Sequence, residues 1–394
     1  MKGHVRERPP GSGNWWAVIE ARDLATNKRK RKWLKLKAVG KRQAQTECAR
    51  IVAESAAGIR IEPDKITVRD FFTRWLESIA PNVTPRTHER YAEIVEKNLL
   101  PAPVTDKEAF GVMMLAKVQP HHISALYARA AKSGRRDGTG GLSSRTIHHM
   151  HRLVFSAFAW GMRMRLAVTN PAALLDRKDR PKIERKAMAV YDVPQTAAAL
   201  ESARGSRIFV PLVLAVLCGL RRGEIVALRW RNVDLATGTL AIVESAEQTT
   251  GGVRIKETKS GRGRNVVLPA LAVDELKAWR LEQAQEFLRL GIRPDGDTTV
   301  ITQVDAKPLQ PRSLTHAWAD FVKAKRLPRC RLHDLRHAHA THLLAAGVHP
   351  KIASERLGHS KIGITMDLYS HAMPSLQDEA AAKVDAALRA AQKR

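Results

Sequence analysis

The sequence predicts an α+β chain, mainly helical, in three domains. A small β-ribbon-plus-helix domain comes first, an all-helical domain second, and a mixed helical domain with a small antiparallel sheet third. Three observations predict this. The chain has 394 residues, enough for two or three domains. Hydrophobic residues make up 44% of it, which excludes wholesale disorder, and their spacing shifts from period two near the N-terminus to helical spacing afterwards. Two charged stretches, one around Pro63 and one around Pro181, break the pattern as linkers do. The boundaries fall at 1–59, 65–178 and 187–394.

In the first domain, residues 15–21 read as a strand and 23–27 supply turn residues. Trp33-Leu34-Lys35-Leu36-Lys37 alternates with period two, putting Leu34 and Leu36 on one face and Trp33, Lys35 and Lys37 on the other. A helix from about residue 41 carries Ala44, Cys48, Ile51 and Val52 at helical spacing, to pack on the apolar face of the sheet. The other face shows lysine and tryptophan to a partner. Residues 1–59 hold 14 Lys and Arg against 5 Asp and Glu. A two-stranded ribbon fits the major groove of DNA, so Trp33, Lys35 and Lys37 are candidate DNA contacts. The plainer alternative is a solvated basic hairpin.

The second domain opens on an i, i+3, i+4, i+7 stripe of Val68, Phe71, Phe72 and Trp75. Thr84-Pro85 supplies an N-cap and first-turn residue for a helix through Leu99. Residues 133–142 contain Gly138, Gly140 and Gly141, but no Lys-Ser/Thr follows, so they read as a plain loop and not a phosphate cradle. Ser143 and Ser144 cap a helix carrying Ile147, Met150 and Val154. In the third domain, Asp192 with Gln195 forms a capping box. Helices follow at about 193–203 and 207–219, strands at 240–243, 253–257 and 266–268, and helices again from about 272.

The charge narrows the function. Against 67 Lys and Arg stand 39 Asp and Glu, a net +28, which calls for a polyanion: nucleic acid or an anionic membrane. The membrane fits poorly. The most apolar run, residues 208–220, contains Pro211 and is well short of the roughly 20 residues that a spanning helix needs. No apolar segment follows the first charges, so no secretory signal is expected. Three scattered cysteines, Cys48, Cys218 and Cys330, do not make a disulfide framework and suit a reducing cytoplasm.

The third domain also sets polar residues among apolar helices. Arg221 and Arg222 follow the run that ends at Leu220. Lys259 lies between two strand segments, where a hairpin turn is expected. His333-Asp334-Leu335-Arg336-His337 opens a helix, His359 follows Gly358 at a helix end, and Tyr369 comes ten residues later. This set suits a phosphodiester. Attack at phosphorus builds charge on the non-bridging oxygens, and guanidiniums can hold those oxygens bidentately. Preorganised donors of this kind contribute roughly 3–4 kcal/mol each by analogy with oxyanion holes. A tyrosine can attack if a cationic site draws off its proton, and a lysine can protonate the departing oxygen.

The same residues resemble a family. Cys218-Gly219-Leu220-Arg221-Arg222-Gly223-Glu224 with Leu228-Arg229-Trp230 resembles the first-arginine motif of tyrosine recombinases (phage integrases). Thr258-Lys259-Ser260 with Arg264 resembles their β-hairpin lysine motif. His333-Asp334-Leu335-Arg336-His337 with Ala340-Thr341-His342-Leu343-Leu344 resembles the second box. Leu357-Gly358-His359-Ser360, Thr365 and Tyr369-Ser370-His371 resemble the C-terminal box. The match covers roughly residues 190–375. The resemblance implies that Tyr369 is the nucleophile, that Arg221, His333, Arg336 and His359 bind the scissile phosphate, and that Lys259 is the general acid, with Lys256 as the competing candidate. Glu224 would brace the first arginine, with Asp334 and His371 also supporting. Cys218, His339 and Gly263 depart from the usual pattern without touching a catalytic role. The first 185 residues match only in layout, as a basic arm-type module and a helical core-binding domain.

By this resemblance the chain is a site-specific recombinase that integrates or excises a phage or mobile element through a 3′-phosphotyrosyl link, with no cofactor. Its expected partners are double-stranded DNA at core and arm attachment sites and three further copies at synapsis, with a host DNA-bending protein and an excision factor as accessories. Its expected location is the cytoplasm of a bacterial host, at the nucleoid. Alternatives are a resolvase-type recombinase, disfavoured by the basic N-terminal module, and a regulator that has lost catalysis, disfavoured by the full catalytic set. A zinc site at Cys330, His333, His337, His339 and His342 is a further rival. Zinc proteases place Glu after the first His, where this chain has Asp334, and Arg336 would repel a dication.

Overall fold

The computed structural model describes residues 2–22, 29–38, 40–56, 66–100, 110–135, 137–183, 190–257 and 263–359, with isolated residues beyond. The chain divides into two compact units, Met1–Arg185 and Lys186–Arg394.

The first unit begins with three antiparallel strands, β1 (Lys2–Glu7), β2 (Trp15–Arg22) and β3 (Arg29–Lys35), in the order β1-β2-β3, followed by helix α1 (Lys41–Ala56). Ala17, Ile19, Leu36, Ala44 and Cys48 form a core, with Val5, Leu34, Ile51 and Val52 packed on it. The helix face and the apolar strand face are those read from the sequence. The sheet has one strand more than the ribbon expected. β1 carries one large apolar residue, Val5, so it shows no alternation to read. The register sets Trp33 opposite Val18 and Lys35 opposite Trp16, on the face away from α1. Trp33 is 37% exposed, and the Arg8 guanidinium lies 5.5 Å from its ring centroid. Lys35 is exposed. Lys37 is exposed too, but it lies past the end of β3 and so outside the ladder. The expected turn at 23–27 lies outside the described residues.

Four helices follow: α2 (Val68–Ile79), α3 (Pro85–Ile94), α4 (Pro120–Ser133) and α5 (Ser144–Arg163). Thr67 and Asp70 make a reciprocal capping box for α2. The Thr84 and Ser143 hydroxyls accept from the third helical N–H of α3 and α5. A π turn (Val95–Leu99) extends α3 to the expected end. Val68, Phe71, Phe72 and Trp75 are buried with Ile123, Met150, Val154 and Phe158 of other helices, and residues between helices such as Leu100, Val118 and Ala172 complete the core.

The second unit contains α6 (Val193–Ala203), α7 (Phe209–Val216) and α8 (Arg222–Ala227). The strands β4 (Val233–Asp234), β5 (Thr239–Ile242), β6 (Glu244–Thr249), β7 (Gly252–Glu257) and β8 (Arg264–Val267) follow. The helices α9 (Ala270–Arg289), α10 (Pro311–Ala324), α11 (Leu332–Ala345) and α12 (Pro350–Leu357) complete it. The Asp192–Gln195 capping box forms as read. Residues 210–216 of α7 are all buried, as befits a helix apolar on every side. α6, α8, α9 and α11 pack around it.

The strands form two sheets, β4-β5-β8 and β6-β7, all antiparallel. The sequence reading missed β6. Its Glu-Ser-Ala-Glu-Gln-Thr has a single apolar residue, and its partner β7 is largely solvent-facing. The finding also corrects the expected lysine turn. β7 pairs with β6 and β8 with β5, so the link at 258–262 joins two sheets and does not close one hairpin. Among the described residues, no helix is long and apolar enough to cross a membrane.

Candidate active site

Arg221 is the N-cap residue of α8, and Glu224 is the third residue of that helix. The spacing brings the Glu224 carboxylate back onto the cap: Oε2 accepts from the Arg221 backbone N–H at 2.9 Å, and Oε1 from Arg221 Nη1 at 2.7 Å. The Glu224 side chain is 2% exposed. Two further guanidiniums reach it. Arg264, at the start of β8, donates Nη1 to Oε1 at 3.0 Å and Nη2 to Oε2 at 2.7 Å. Arg336, on α11, has Nη1 4.0 Å from Oε2. One buried carboxylate thus gathers three cations from three elements. Burial alone would raise the Glu224 carboxyl, but the bonds and charge of Arg264, then those of Arg221, hold it at about 2.

The end of α12 closes the other side. Its C-cap, Gly358, is left-handed with φ of 63°. Arg221 Nη2 donates to the Gly358 carbonyl at 2.6 Å, and Arg336 Nη2 donates to the Leu357 carbonyl. Arg336 Nη1 donates to the carbonyl of Gly219, whose φ is 69°. A Cβ at Gly219 would lie 2.6 Å from His339 Cδ2, so only glycine lets that turn approach α11. Arg336 is 2% exposed, and burial with the neighbouring Arg221 charge lowers it to about 9, still protonated near neutral pH. These two bonds use two of its five N–H groups.

The histidines are held in place. His359 Nδ1 is 2.8 Å from the hydroxyl of Thr365, a fully buried residue, which leaves Nε2 for a ligand. Burial, then Arg336 and Arg221, lower His359 to about 4. His333 meets His337 edge to face, 4.9 Å between centroids, and burial followed by His337 and Arg336 lowers it to about 4. Both rings are therefore neutral near pH 7, and an arriving phosphate would raise them. Asp334 is buried. Arg331 grips it through Nε and Nη2, both at 2.8 Å, in the capping box that starts α11.

The structure therefore brings Arg221, Glu224, His333, Arg336 and His359 together. Asp334 supports the group at one remove, by fixing the start of α11. Lys259, Tyr369 and His371 lie outside the described residues. Lys256 is described, and its ammonium is ion-paired with Glu247 across the β6–β7 ladder. Two residues were missed as site members. Arg264 stands in the sequence only as part of the lysine motif, and nothing in a linear reading shows a partner 40 residues away. His339, noted as a departure, accepts from Arg356 Nε at 3.3 Å and packs under Gly219, behind the site. The histidine-rich run does not converge: His342 reaches the Tyr191 carbonyl at 3.1 Å, while His339 faces Arg356. Among the described residues no three of His, Cys, Asp or Glu cluster as metal ligands.

Such a cluster of enclosed guanidiniums and imidazoles on a helical domain is suited to receiving an anion. Residues 187–375 match the phage integrase family, and the chain is similar to integrases and tyrosine recombinases over more than four-fifths of its length. An integrase of Saccharopolyspora erythraea is 25% identical, covering 86% of each chain. A XerC-like tyrosine recombinase of Caldanaerobacter subterraneus is also 25% identical, covering 82% of this chain and 84% of that protein. The Tn1549 transposon integrase, solved with a circular intermediate DNA, superposes with a TM-score of 0.66 at 21% identity, over 81% of this chain and 99% of that one. The lambda integrase dimer bound to a core site gives 0.55 at 18% identity, over 93% and 94%.

Proposed function

We propose that this recombinase integrates or excises a mobile DNA element by cutting and rejoining strands at paired attachment sites. Tyr369 attacks the scissile phosphorus. A tyrosyl O–P bond forms, the bond to the 5′ oxygen breaks, and Lys259 protonates that oxygen as it leaves. The 5′-hydroxyl of a partner duplex then attacks the 3′-phosphotyrosyl link and releases the tyrosine. Bond energy is conserved in the link, so no ATP is needed. Arg221, Arg336, His333 and His359 hold the non-bridging oxygens, and Glu224, Asp334 and His371 support them. Lys259 is preferred to Lys256 because the Lys256 ammonium is already engaged by Glu247.

One observation carries the reading. A single buried carboxylate faces three guanidiniums, two of them from the separate arginine boxes. The imbalance leaves positive charge that an attacked phosphate would neutralise. The basic open face of the N-terminal sheet, with Trp33 and Lys35, binds arm DNA, the helical domain binds core DNA, and four copies assemble at synapsis. A host DNA-bending protein and an excision factor are natural accessories to separate arm sites. The protein works in the bacterial cytoplasm on the nucleoid.

The test is a core-site duplex nicked so that the cleaved strand cannot religate. The wild type should accumulate a covalent protein–DNA adduct, undiminished by excess EDTA. Tyr369→Phe should bind the duplex and form none. An adduct on that variant, or one lost in EDTA, would overturn the mechanism.

A further inference from the structure

We infer that Arg264 is a positioning residue that ties β8, the strand after the lysine-bearing segment, to the end of α12, so that the phosphate-binding groups assemble as one unit. The inference rests on the roles proposed for Arg221, Lys259 and His359, and adds a residue that those roles leave out.

Arg264 stands five residues after Lys259, at the first position of β8. All three of its nitrogens are directed at protein acceptors. Nη1 and Nη2 take the two Glu224 oxygens, and Nε donates to the Arg356 carbonyl at 2.9 Å. Its side chain is 14% exposed. Arg221 shares the same Glu224 oxygen and bonds the Gly358 carbonyl, two residues further along. The two guanidiniums therefore run side by side between one carboxylate and one turn. That turn is shaped around Arg264: a Cβ at Gly358 would lie 2.9 Å from its Nη1 and 3.0 Å from its Cδ. The residue after Gly358 is His359. Arg264 thus connects the first-arginine helix, the strand that leads out of the lysine link, and the turn that delivers His359. With both terminal nitrogens on Glu224, it supports the phosphate site without being a phosphate ligand.

Lysine keeps the charge but is a point donor, and it cannot bridge both carboxylate oxygens and a carbonyl in fixed geometry. Glutamine also removes the charge. The charged groups facing Glu224 among the described residues are Arg221, Arg264 and Arg336. Without Arg264, burial would act on Glu224 against weaker opposition, and its carboxyl would titrate at higher pH.

The experiment compares full-length wild type, Arg264→Lys and Arg264→Gln on the nicked core-site duplex. Thermal midpoint, duplex affinity and the single-turnover rate of adduct formation at saturating protein are measured across pH. Arg264→Lys should keep its midpoint and affinity close to wild type, while adduct formation falls about ten- to a hundredfold, the scale of a small misplacement of reacting groups. Arg264→Gln should fall further, with the acid limb of its rate profile moved to higher pH. A wild-type rate in Arg264→Lys would overturn the inference. So would losses that follow the thermal midpoint alone with no moved acid limb. If the wild type itself formed no adduct on Tyr369, the proposed chemistry would fail instead, a result distinct from a reactive wild type with unaffected variants.

Discussion

The open face of the N-terminal sheet and the cluster around Glu224 are both basic, and they hold their charge in opposite ways. On the sheet, Arg31 and Lys35 stand in solvent, and Arg31, ion-paired with Glu20 at 2.6 Å, is 69% exposed. In the cluster, Glu224 and Arg336 are almost fully enclosed, and every guanidinium has a fixed carbonyl or carboxylate partner. Exposed charge is screened by salt and free to reorient, so it supplies attraction along a backbone. Enclosed charge costs desolvation when the protein folds, and in return its geometry is set before a ligand arrives. The first arrangement suits holding a polymer, the second acting on one bond of it.

The largest effect should come from breaking the enclosed region. Glu224→Ala leaves Arg221, Arg264 and Arg336 without their common anion, and removal of one partner of a buried pair costs about 3–5 kcal/mol. Thermal and denaturant unfolding should show a loss of that order, with adduct formation abolished. A substitution on the sheet such as Lys35→Ala should cost almost nothing by the same measure. Equal losses at the two places would break the comparison.

Acid provides a milder probe. Burial holds His333, His339 and His359 neutral in the folded chain, each at about 4 against an ordinary 6.5. The unfolded chain takes up these protons first, so stability should fall as pH drops from 6.5 toward 4 and be insensitive to these three groups above that window. Histidine titration followed by NMR should show the same depression, and binding of a core duplex should raise His333 and His359 while leaving His339, behind the site, little changed. Ordinary values in the free protein would remove the basis for a pre-enclosed site.

What the sequence could reveal follows the same division. Box residues stand out because charged side chains among Leu220, Leu335 and Leu357 have no packing reason to be there. The amphipathic helices and Asp192–Gln195 are equally plain, since caps and stripes are local patterns. Three strands stayed hidden: β1 and β6 each carry a single apolar residue, Val5 or Ala246, and β4 is two residues long, so their pairing is decided by their neighbours. Arg264 stayed hidden for a related reason. Its importance lies in Glu224 and in the Arg356 carbonyl, and a residue's partners across the fold leave no mark on its own neighbours in the chain.

The most direct test of the central claim separates holding from acting by salt. Wild type and Lys35→Ala are titrated with a duplex carrying arm and core sites over a range of ionic strength, and adduct formation is timed at saturating protein in each condition. Affinity should fall steeply with salt in the wild type, with a slope lower by about one in Lys35→Ala, one phosphate contact's worth. The saturated rate of adduct formation should be the same in both proteins and nearly flat with salt. A rate that falls in parallel with affinity would mean that the cations of the site are ordinary solvated charge, and the account of a preorganised cluster around Glu224 would be wrong.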